Sequence, residues 1–417
     1  MRNGLTTRNK AWSERIEPVT GFPKMPALVT SLVRLARDLG PGTRMPRTRE
    51  LAQALGVTVV TLNQGLTQLE RRGFLDRRPR SGIYVSPNVA QKNVGLVIGW
   101  DIFADRNDAT TFYYLLLGCC TRRAALNQER FSFFLDAPAP RSGSAVHSAR
   151  PASAVGPGVP GASPYVHQDL ADALSAGRLD GLLLTSPHGP EQEEWLRSHN
   201  IPVVNLSLSS RPGSVCVDGE ELVCMGAREL MQDGARTIGF ITSNGPEVAY
   251  FRNAAERLGF ETKDTWISHQ DTATAGKLTL DDMGRRAINS ILALKSAGQP
   301  LPKGIVVAND IVARGVLRRL DAAGVRVGLD MLVAVHANRG SAVLTPWEDR
   351  IIQCQVDPQE IADTLFAVLE VSMENRDIAQ GLSSRTAPLP SSVQQGSDGV
   401  WRVLPHVVRP SESVSET

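Results

Sequence analysis

Apolar residues follow two different periodicities along this chain, and the change between them divides it into two regions. From residue 26 to residue 73 they recur mainly every three or four positions, which predicts short amphipathic helices. From Asn93 onward they gather in short runs that alternate with helical segments. Such runs are typical of parallel strands buried on both faces of a sheet. The pattern therefore predicts an α/β protein with a small helical domain at its amino-terminal end.

Three helices and a hairpin are predicted in the first region. Residues 26–39 form an amphipathic helix, residues 47–55 form a second, and a third begins after Thr58, whose hydroxyl can cap it. Gly56 and Gly73 follow the second and third helices, where glycine accepts a positive φ without steric cost. Two helices joined by a glycine-containing turn indicate a helix-turn-helix, whose second helix enters the major groove amino terminus first.

Arginine is concentrated in the same region. The alternating pattern after Gly73 predicts two short strands, and the turn between them carries Arg77, Arg78 and Arg80. The segment from Arg44 to Val85 contains eight arginines and three acidic residues, a net charge of +5 in a chain whose total is +2. A basic face by itself can be no more than a solvated surface. Here the helix pair, the turn, the hairpin and the positive charge occur in the order and spacing of one known DNA-binding module. Together they predict a winged helix-turn-helix that meets the phosphate backbone of DNA.

This DNA-binding domain is expected to span residues 22–87 and to read bases through the start of its third helix. Asn and Gln side chains can pair in a two-pronged manner with adenine, and a valine can pack on a thymine methyl group. Arginines near the helix and on the wing suit phosphate contacts. The predicted DNA-contacting residues are Arg47, Arg49, Thr58, Val59, Thr61, Asn63, Gln64, Arg78, Arg80 and Gly82.

The same stretch resembles the winged helix of the GntR family of bacterial transcription factors. The resemblance implies that Arg49 and the wing contact phosphate or groove, and that Thr58 and Thr61 anchor the recognition helix. Val59 and Asn63 stand where the family often has arginine, which predicts a different operator sequence. The matching residues are Pro41-Gly42, Pro46, Arg49-Glu50-Leu51-Ala52, Leu55-Gly56-Val57, Thr61, Leu66, Leu69, Gly73 and Arg77-Arg78 to Gly82, with Arg47 replacing the usual N-cap serine.

Two successive sets of strand–helix pairs follow, which predict two lobes with parallel, doubly wound sheets and a cleft between them. Residues 1–21 are expected to be a flexible arm and residues 411–417 a polar tail. Residues 137–163 are rich in Pro, Ala, Gly and Ser, a composition that predicts a disordered insert. Residues 401–408 are predicted to form one last strand.

Residues 92–410 resemble the LacI and periplasmic sugar-binding-protein fold. The resemblance is carried by the segment 306–335, by DGLLLTSP from Asp180, by IPVVN from Ile201 and by the closing LPHVVRP. Joined to a GntR-type winged helix, it gives the layout of regulators of the bacterial arabinose-repressor type. It implies a two-lobed effector-binding and dimerisation domain that holds a small molecule, most simply a sugar, in the cleft.

Polar residues at strand ends are the candidates for ligand contact. By the resemblance, Phe112 would stack on a sugar ring, while carboxylates and amides suit sugar hydroxyls. The same residue types are also ordinary turn and cap residues, and Asp310 could cap the next helix. Glu247 occupies the region where the family commonly has an arginine that grips the ligand. The candidates are Asp101, Phe112, Asp136, Ser207, Arg252, Asn309, Asp310 and Asn338.

Other classes of protein receive little support from the sequence. The five cysteines are odd in number and form no C-x-x-C, which predicts reduced thiols in a cytoplasmic protein. No secretory signal and no apolar run of membrane-spanning length is visible. Some GntR-type winged helices are fused to pyridoxal-phosphate enzymes, but none of the lysines after residue 92 has the surroundings of a Schiff-base lysine: Lys263, Lys277, Lys295 and Lys303. We therefore expect no enzyme activity, no cofactor and no metal.

The sequence thus predicts a ligand-responsive transcription regulator, most simply a repressor. It would bind double-stranded operator DNA as a homodimer and sense a small-molecule effector. Two alternatives stay open at this stage. The effector domain could have lost its ligand and serve only as a dimerisation scaffold, or, more remotely, the winged helix could be fused to an enzyme domain.

Overall fold

The computed structural model describes residues 12, 16, 18–19, 24–89, 91–99, 110–127, 129–136, 168–185, 195–196, 198–199, 201–206, 213–269, 278–379 and 393–410. The chain separates into two compact units. The first combines residues 1–99, 124–204 and 367–388, and the second combines residues 100–123, 205–366 and 389–417. The predicted insert 137–163 and the tail 411–417 lie outside the described residues. No helix among the described residues is long and apolar enough to cross a membrane.

The winged helix-turn-helix predicted from the sequence is present in the first unit. Its leucine-rich core is closed by the packing of α1 against α3, and the contact is tight at Gly65. A Cβ placed there would lie 3.1 Å from a methyl carbon of Leu32 and 3.2 Å from one of Leu28. The elements are α1 (Lys24–Leu39), α2 (Thr48–Ala54), α3 (Val59–Arg71) and the antiparallel pair β1 (Leu75–Arg78) and β2 (Gly82–Val85).

Part of the segment predicted as a flexible arm packs against this domain. Trp12 is 7% exposed and belongs to the core of the winged helix domain, with Ile16 and Val19 packed against it. The backbone N–H of Val19 donates a 3.0 Å hydrogen bond to the carbonyl of Leu55. Because an indole buries a large apolar surface, Trp12 contributes strongly to this contact between the described part of the arm and the domain.

The rest of the first unit is built on a four-stranded sheet of order β4-β3-β5-β6, in which β3 pairs in parallel with both β4 and β5. The inner strands β3 and β5 are apolar and buried, whereas the edge strand β4 leaves Phe133 46% and Leu135 50% exposed. The elements of this part of the unit, in chain order, are β3 (Asn93–Gly99), β4 (Arg130–Asp136), α5 (Gln168–Ser175), β5 (Gly181–Leu184) and β6 (Val203–Asn205). The helix α4 (Thr110–Leu126) precedes β4 in the chain, and most of it belongs to the second unit.

The second unit contains a six-stranded sheet of order β15-β12-β11-β10-β8-β9. All its strands are parallel except β15 (His406–Val408). Side chains alternate between its faces: Ile305 and Val307 pack with α8 and α9, whereas Val306 packs with α6 and α7. The elements are α6 (Gly219–Gln232), β8 (Ile238–Thr242), α7 (Glu247–Leu258), β9 (Ile267–His269), α8 (Leu280–Ser296), β10 (Gly304–Val307), α9 (Asp310–Ala322), β11 (Leu332–Asn338) and β12 (Ile352–Val356). The helix α10 (Pro358–Ala379) follows β12, and its residues from Ala367 onward belong to the first unit.

The predicted final strand over 401–408 is wrong in one respect, because it is two strands in two different sheets. β14 (Trp401–Val403) lies between β13 (Val393–Gln395) and β7 (Val215–Val217) in a three-stranded sheet, and β15 (His406–Val408) pairs with β12. Leu404 and Pro405 separate the two. Proline has no N–H for a sheet ladder, so the chain can leave one sheet and enter the next at this point.

Candidate DNA interface and effector site

The recognition helix α3 begins as the sequence predicts. The hydroxyl oxygen of Thr58 accepts a 3.1 Å hydrogen bond from the backbone N–H of Thr61, and the two hydroxyls lie 2.8 Å apart. Gly56 and Gly73 have φ values of 65° and 75°, the left-handed conformation expected after the ends of α2 and α3. Arg47 precedes α2 and makes no side-chain cap, as its replacement of the usual serine implies.

The first turns of α3 present a continuous exposed face. Thr58, Asn63 and Gln64 are exposed, while Thr61 is half-buried and its hydroxyl lies against that of Thr58. Val59 and Val60 are 43% and 69% exposed, and an exposed pair of valines at a helix start suits contact with apolar base edges. Val60 was not among the predicted contacts, although the helical phase that buries Leu62 and Leu66 leaves it outside.

The wing is a three-stranded arrangement rather than a simple hairpin. The third strand is the segment around Arg44, whose backbone forms an antiparallel bridge with Tyr84. Met45 N–H donates to the Ile83 carbonyl at 2.8 Å, and Val85 N–H donates to the Thr43 carbonyl at 2.7 Å. This pairing brings the Arg44 guanidinium beside Gly82, where a Cβ would lie 3.0 Å from Nε. Arg44 therefore joins the wing cations. Its contribution to the segment charge was visible in the sequence, but its place on the wing depends on long-range pairing.

The other wing arginines are held by distinct contacts. Arg77 Nε lies 3.2 Å from a carboxylate oxygen of Glu70, and Arg78 stacks with its guanidinium carbon 4.2 Å from the ring centroid of Tyr84. Arg80 has a φ of 61°, which places it in the left-handed conformation of the turn at the tip. Arg47 and Arg49 are exposed at the start of α2. The wing and the start of α2 thus present cations to solvent.

A polar cluster lies at the carboxyl ends of three adjacent strands in the second unit. Register pairs Ile241 of β8 with Val307 of β10 and Val307 with Val335 of β11, so these strands end at the same edge. The cluster contains Thr242, Asn244, Glu247, Asn309, Asp310, His336 and Asn338. Ligands of parallel α/β sheets bind at this edge.

Glu247 is the central acidic group of one half of this cluster. Its carboxylate accepts hydrogen bonds from the Thr242 hydroxyl at 2.5 Å and from the Asn244 amide at 3.2 Å. Burial raises the pKa of Glu247 above its ordinary value, opposed by these hydrogen bonds and by the nearby His336. The buried Nε2 of His336 has no hydrogen-bond partner among the described residues. Sequence analysis noted Glu247 only because it lies where the family commonly has an arginine. No motif or spacing in the sequence pointed to His336.

The other half of the cluster contains Asn309 and Asp310. The sequence suggested that Asp310 could cap the next helix, but the structure gives that role to Asn309. Asn309 caps α9, because its side-chain oxygen accepts from the N–H groups of Ile311 and Val312, each at 3.0 Å. Asp310 is 3% exposed and accepts a 3.0 Å hydrogen bond from the amide of Asn338. A buried carboxylate is costly without a partner, so this bond fixes the ends of β10 and β11 together.

Of the remaining predicted ligand residues, the structure describes the side chains of Arg252 and Phe112. Arg252 lies on the outer side of α7, where it is 57% exposed and pairs with Asp264 at 2.9 Å, so it is not part of the cluster. Phe112 lies in the first turns of α4, half-buried against Tyr113. A Cβ at Gly340, two residues after β11, would lie 3.7 Å from Leu115 of α4. Asp101, Ser207 and the side chain of Asp136 lie outside the described residues.

Two family models match the two regions of the chain. Residues 34–85 match the model of bacterial regulatory proteins of the gntR family, and residues 227–388 match the model of a periplasmic binding protein-like domain. The predicted pairing of these two domain types is therefore confirmed.

Curated relatives match the amino-terminal part only. The Uxu operon transcriptional regulator of Escherichia coli is 32% identical over 72 residues, 17% of this chain and 28% of the relative. The HTH-type transcriptional regulator Rv1152 of Mycobacterium tuberculosis is 34% identical over 74 residues, 17% of this chain and 61% of the relative. The chain thus spans less than two thirds of the length of these relatives.

Solved structures of regulators share the fold of most of the chain. A LacI-family regulatory protein of Chloroflexus aggregans aligns with a TM-score of 0.52 at 15% identity, covering 77% of this chain and 98% of that one. The CelR transcriptional regulator in complex with cellobiose aligns with a TM-score of 0.51 at 18% identity, covering 88% and 100%.

The fold and the exposed recognition helix define the class of protein. The chain carries a GntR-type winged helix-turn-helix domain followed by a periplasmic-binding-protein-like domain with the fold of LacI-family regulators. Both curated relatives and the CelR neighbour are transcriptional regulators, and the Chloroflexus aggregans neighbour is a regulatory protein.

Proposed function

We propose that this protein is a ligand-responsive transcription regulator that binds operator DNA as a dimer and represses the genes it controls. The observation that carries the proposal is the face formed by Thr58, Val59, Val60, Asn63 and Gln64 beside an arginine-rich wing. Such a face combines base-reading side chains with cations for phosphate. Its DNA partner would place the protein in the cytoplasm.

The effector is proposed to be a small polyhydroxylated molecule, most simply a sugar, bound at the polar strand ends of the second unit. Glu247 and Asp310 offer carboxylate oxygens, Asn244 and Asn338 offer amides, and His336 offers a ring nitrogen. Carboxylates and amides suit the hydroxyl groups of a sugar. The CelR regulator of similar fold was solved with cellobiose, which supports the same ligand class. Asn309 is a weaker candidate than the sequence suggested, because its side-chain oxygen already caps α9.

In the proposed dimer, two DNA-reading modules would be coupled to such a ligand. A dimer places two recognition helices on half-sites about one helical turn or a multiple of it apart. A ligand that binds one conformation better changes operator affinity, and the operator changes ligand affinity by the same factor.

The test begins with operator sequences selected from random DNA by the full-length protein and a thermal-shift screen of sugars. Operator affinity is then measured with and without the sugar that gives the largest thermal shift. Glu247→Gln keeps the shape of the side chain but removes its charge, so it should reduce the ligand response at least about tenfold, a coupling loss of about 1.4 kcal/mol. DNA affinity without ligand should stay within about twofold.

Arg252→Ala is the matched control, since Arg252 lies on the same helix as Glu247 but pairs with Asp264 at the surface. It should leave the response intact. Failure to select any DNA would refute the proposal of a DNA-binding regulator. If DNA is selected but no sugar or related metabolite binds, the scaffold alternative is the better account.

A further inference from the structure

The carboxyl end of the recognition helix is joined to the α/β part of the first unit by a partly buried ion pair. Arg72, the residue that caps α3, places Nη2 3.9 Å from Oδ1 of Asp180, and the two side chains are only 23% and 8% exposed. Asp180 directly precedes β5, the strand next to β3. The pair therefore connects the helix that faces DNA to the sheet of the effector domain.

Asp180 is held in place from its other side by the start of β3. Its Oδ2 accepts a 2.9 Å hydrogen bond from the backbone N–H of Asn93, and its own N–H donates to the Asn93 carbonyl at 2.8 Å. Asn93 is the first residue of β3 and follows the short connection from the wing. The carboxylate thus ties together the end of the recognition helix and the point where the chain enters the effector domain.

Arg72 is equally constrained. Its guanidinium carbon lies 5.1 Å from the ring centroid of Phe74, and a Cβ built on Gly177 would be 3.3 Å from its Cδ. A second contact lies next to it, because a Cβ at Gly73 would be 3.2 Å from Nη1 of Arg130, the first residue of β4. The helix end is therefore docked at the amino ends of β4 and β5.

The connection between the two domains is also short and anchored. Val89 is 2% exposed and belongs to the core of the winged helix domain, and Ser86 N–H donates to the Phe74 carbonyl at 2.9 Å. Few residues then remain before Asn93. A short, anchored connection and a partly buried ion pair leave the winged helix little freedom to turn on the sheet.

We propose that Arg72 and Asp180 are positioning residues that fix the orientation of the recognition helix on the effector domain and so set the spacing of half-sites that the dimer accepts. This inference rests on the proposed function for its DNA consequence, but the docking itself is independent of DNA. Removing either member of the Arg72–Asp180 pair is destabilising, because it leaves the charge of the other without its partner. A rotation of the sheet would then move the recognition helix with it.

The first experiment is hydrogen exchange of the full-length protein, which needs no DNA. Arg72→Met removes the charge and keeps the apolar stem, and the peptide covering 86–93 should exchange about tenfold faster or more. Asp180→Asn keeps an acceptor for Asn93 and should have the same effect, and the double variant should add little beyond either single one. Arg71→Met is the control: it is the exposed neighbour, loses the same charge, and should exchange like the wild type.

The second experiment measures spacing. The wild type should bind an operator with its preferred half-site spacing more tightly than one whose half-sites lie about five base pairs, half a helical turn, further apart. In Arg72→Met the ratio of these two affinities should fall by about tenfold. Affinity for a single half-site should stay within about twofold, which shows that the winged helix is folded. Arg72→Lys should retain most of the discrimination.

The outcomes separate the two proposals. Unchanged exchange in Arg72→Met overturns the docking, and faster exchange with unchanged spacing preference overturns its role in DNA recognition. Faster exchange in a protein that selects no DNA supports the docking and refutes the DNA-binding proposal instead.

Discussion

Gly284 of α8 lies directly against the carbonyl oxygen of Val312 in α9. A Cβ built at Gly284 would be 1.9 Å from that oxygen, and one built at Gly315 would be 2.0 Å from the carbonyl oxygen of Asp281. The two helices therefore approach each other backbone to backbone, at a reciprocal pair of glycines. No side chain can be accommodated there without moving a helix, because the atoms in the way belong to the main chain.

This contact predicts a large loss of stability for a single added methyl group. Gly284→Ala should lower the free energy of unfolding by about 3 kcal/mol, the upper part of the range for overpacking, because α8 and α9 must separate. Gly118→Ala is the matched control, since nothing lies within 4 Å of its Cβ position in the helix α4. It should gain about 0.5–1 kcal/mol through helix propensity. Urea unfolding of both variants checks the difference, and equal stabilities would contradict the tight contact.

Asn63 is expected to read a base rather than a phosphate. It is exposed in the second turn of α3, the helix that Thr58 caps. Asn63→Ala should cost about 1–3 kcal/mol of binding to the selected operator and little on random DNA. Titration of both duplexes with the variant decides this. A similar loss on both would mean that Asn63 contacts the backbone instead.

Arg49 and Arg80 are expected to contact phosphates, since both are exposed cations beside the recognition helix. Replacing both with Met should weaken binding to every sequence and reduce the slope of log affinity against log salt by about one unit for each lost contact. Binding curves at several salt concentrations measure the slope. Arg252→Met, a cation remote from the winged helix in sequence and paired with Asp264, serves as the control. An unchanged slope in the double variant would exclude the phosphate role.

Glu247 predicts a pH dependence of stability. Burial raises the pKa of this group in the folded state, so the folded protein binds a proton more tightly than the unfolded chain there. Its contribution is present below the ordinary value of 4.5 and is lost as pH rises through the raised value. Relative to Glu247→Gln, the wild type should therefore lose stability as pH rises from about 4.5 and level off once the carboxyl is ionised in both states. Unfolding of the two proteins in urea across pH 4–8 gives the difference, and a difference that is flat with pH would show that the carboxyl is not perturbed.

The sequence by itself determined the local elements of the DNA-reading domain. Thr58, Gly56 and Gly73 act within a few residues of themselves, as an N-cap and as left-handed helix ends, so their roles follow from spacing alone. Apolar runs likewise predicted the α/β class, since the strands β8, β10 and β11 are buried on both faces whichever strand lies next to them. Short-range hydrogen bonding and side-chain periodicity do not depend on which distant segment packs against the element.

Tertiary structure decided which polar groups meet. Asn309 and Asp310 are adjacent residues of similar chemistry, and only the arrival of Asn338 from a neighbouring strand leaves one to cap α9 and the other to accept a buried hydrogen bond. The division of 401–408 into two strands depended on which edges, β7 and β12, were open to pairing. Arg72 and Asp180 are over a hundred residues apart in sequence and carry no shared motif. A buried charge is stabilised by whichever partner the fold brings near it, and that partner is a property of the assembled chain.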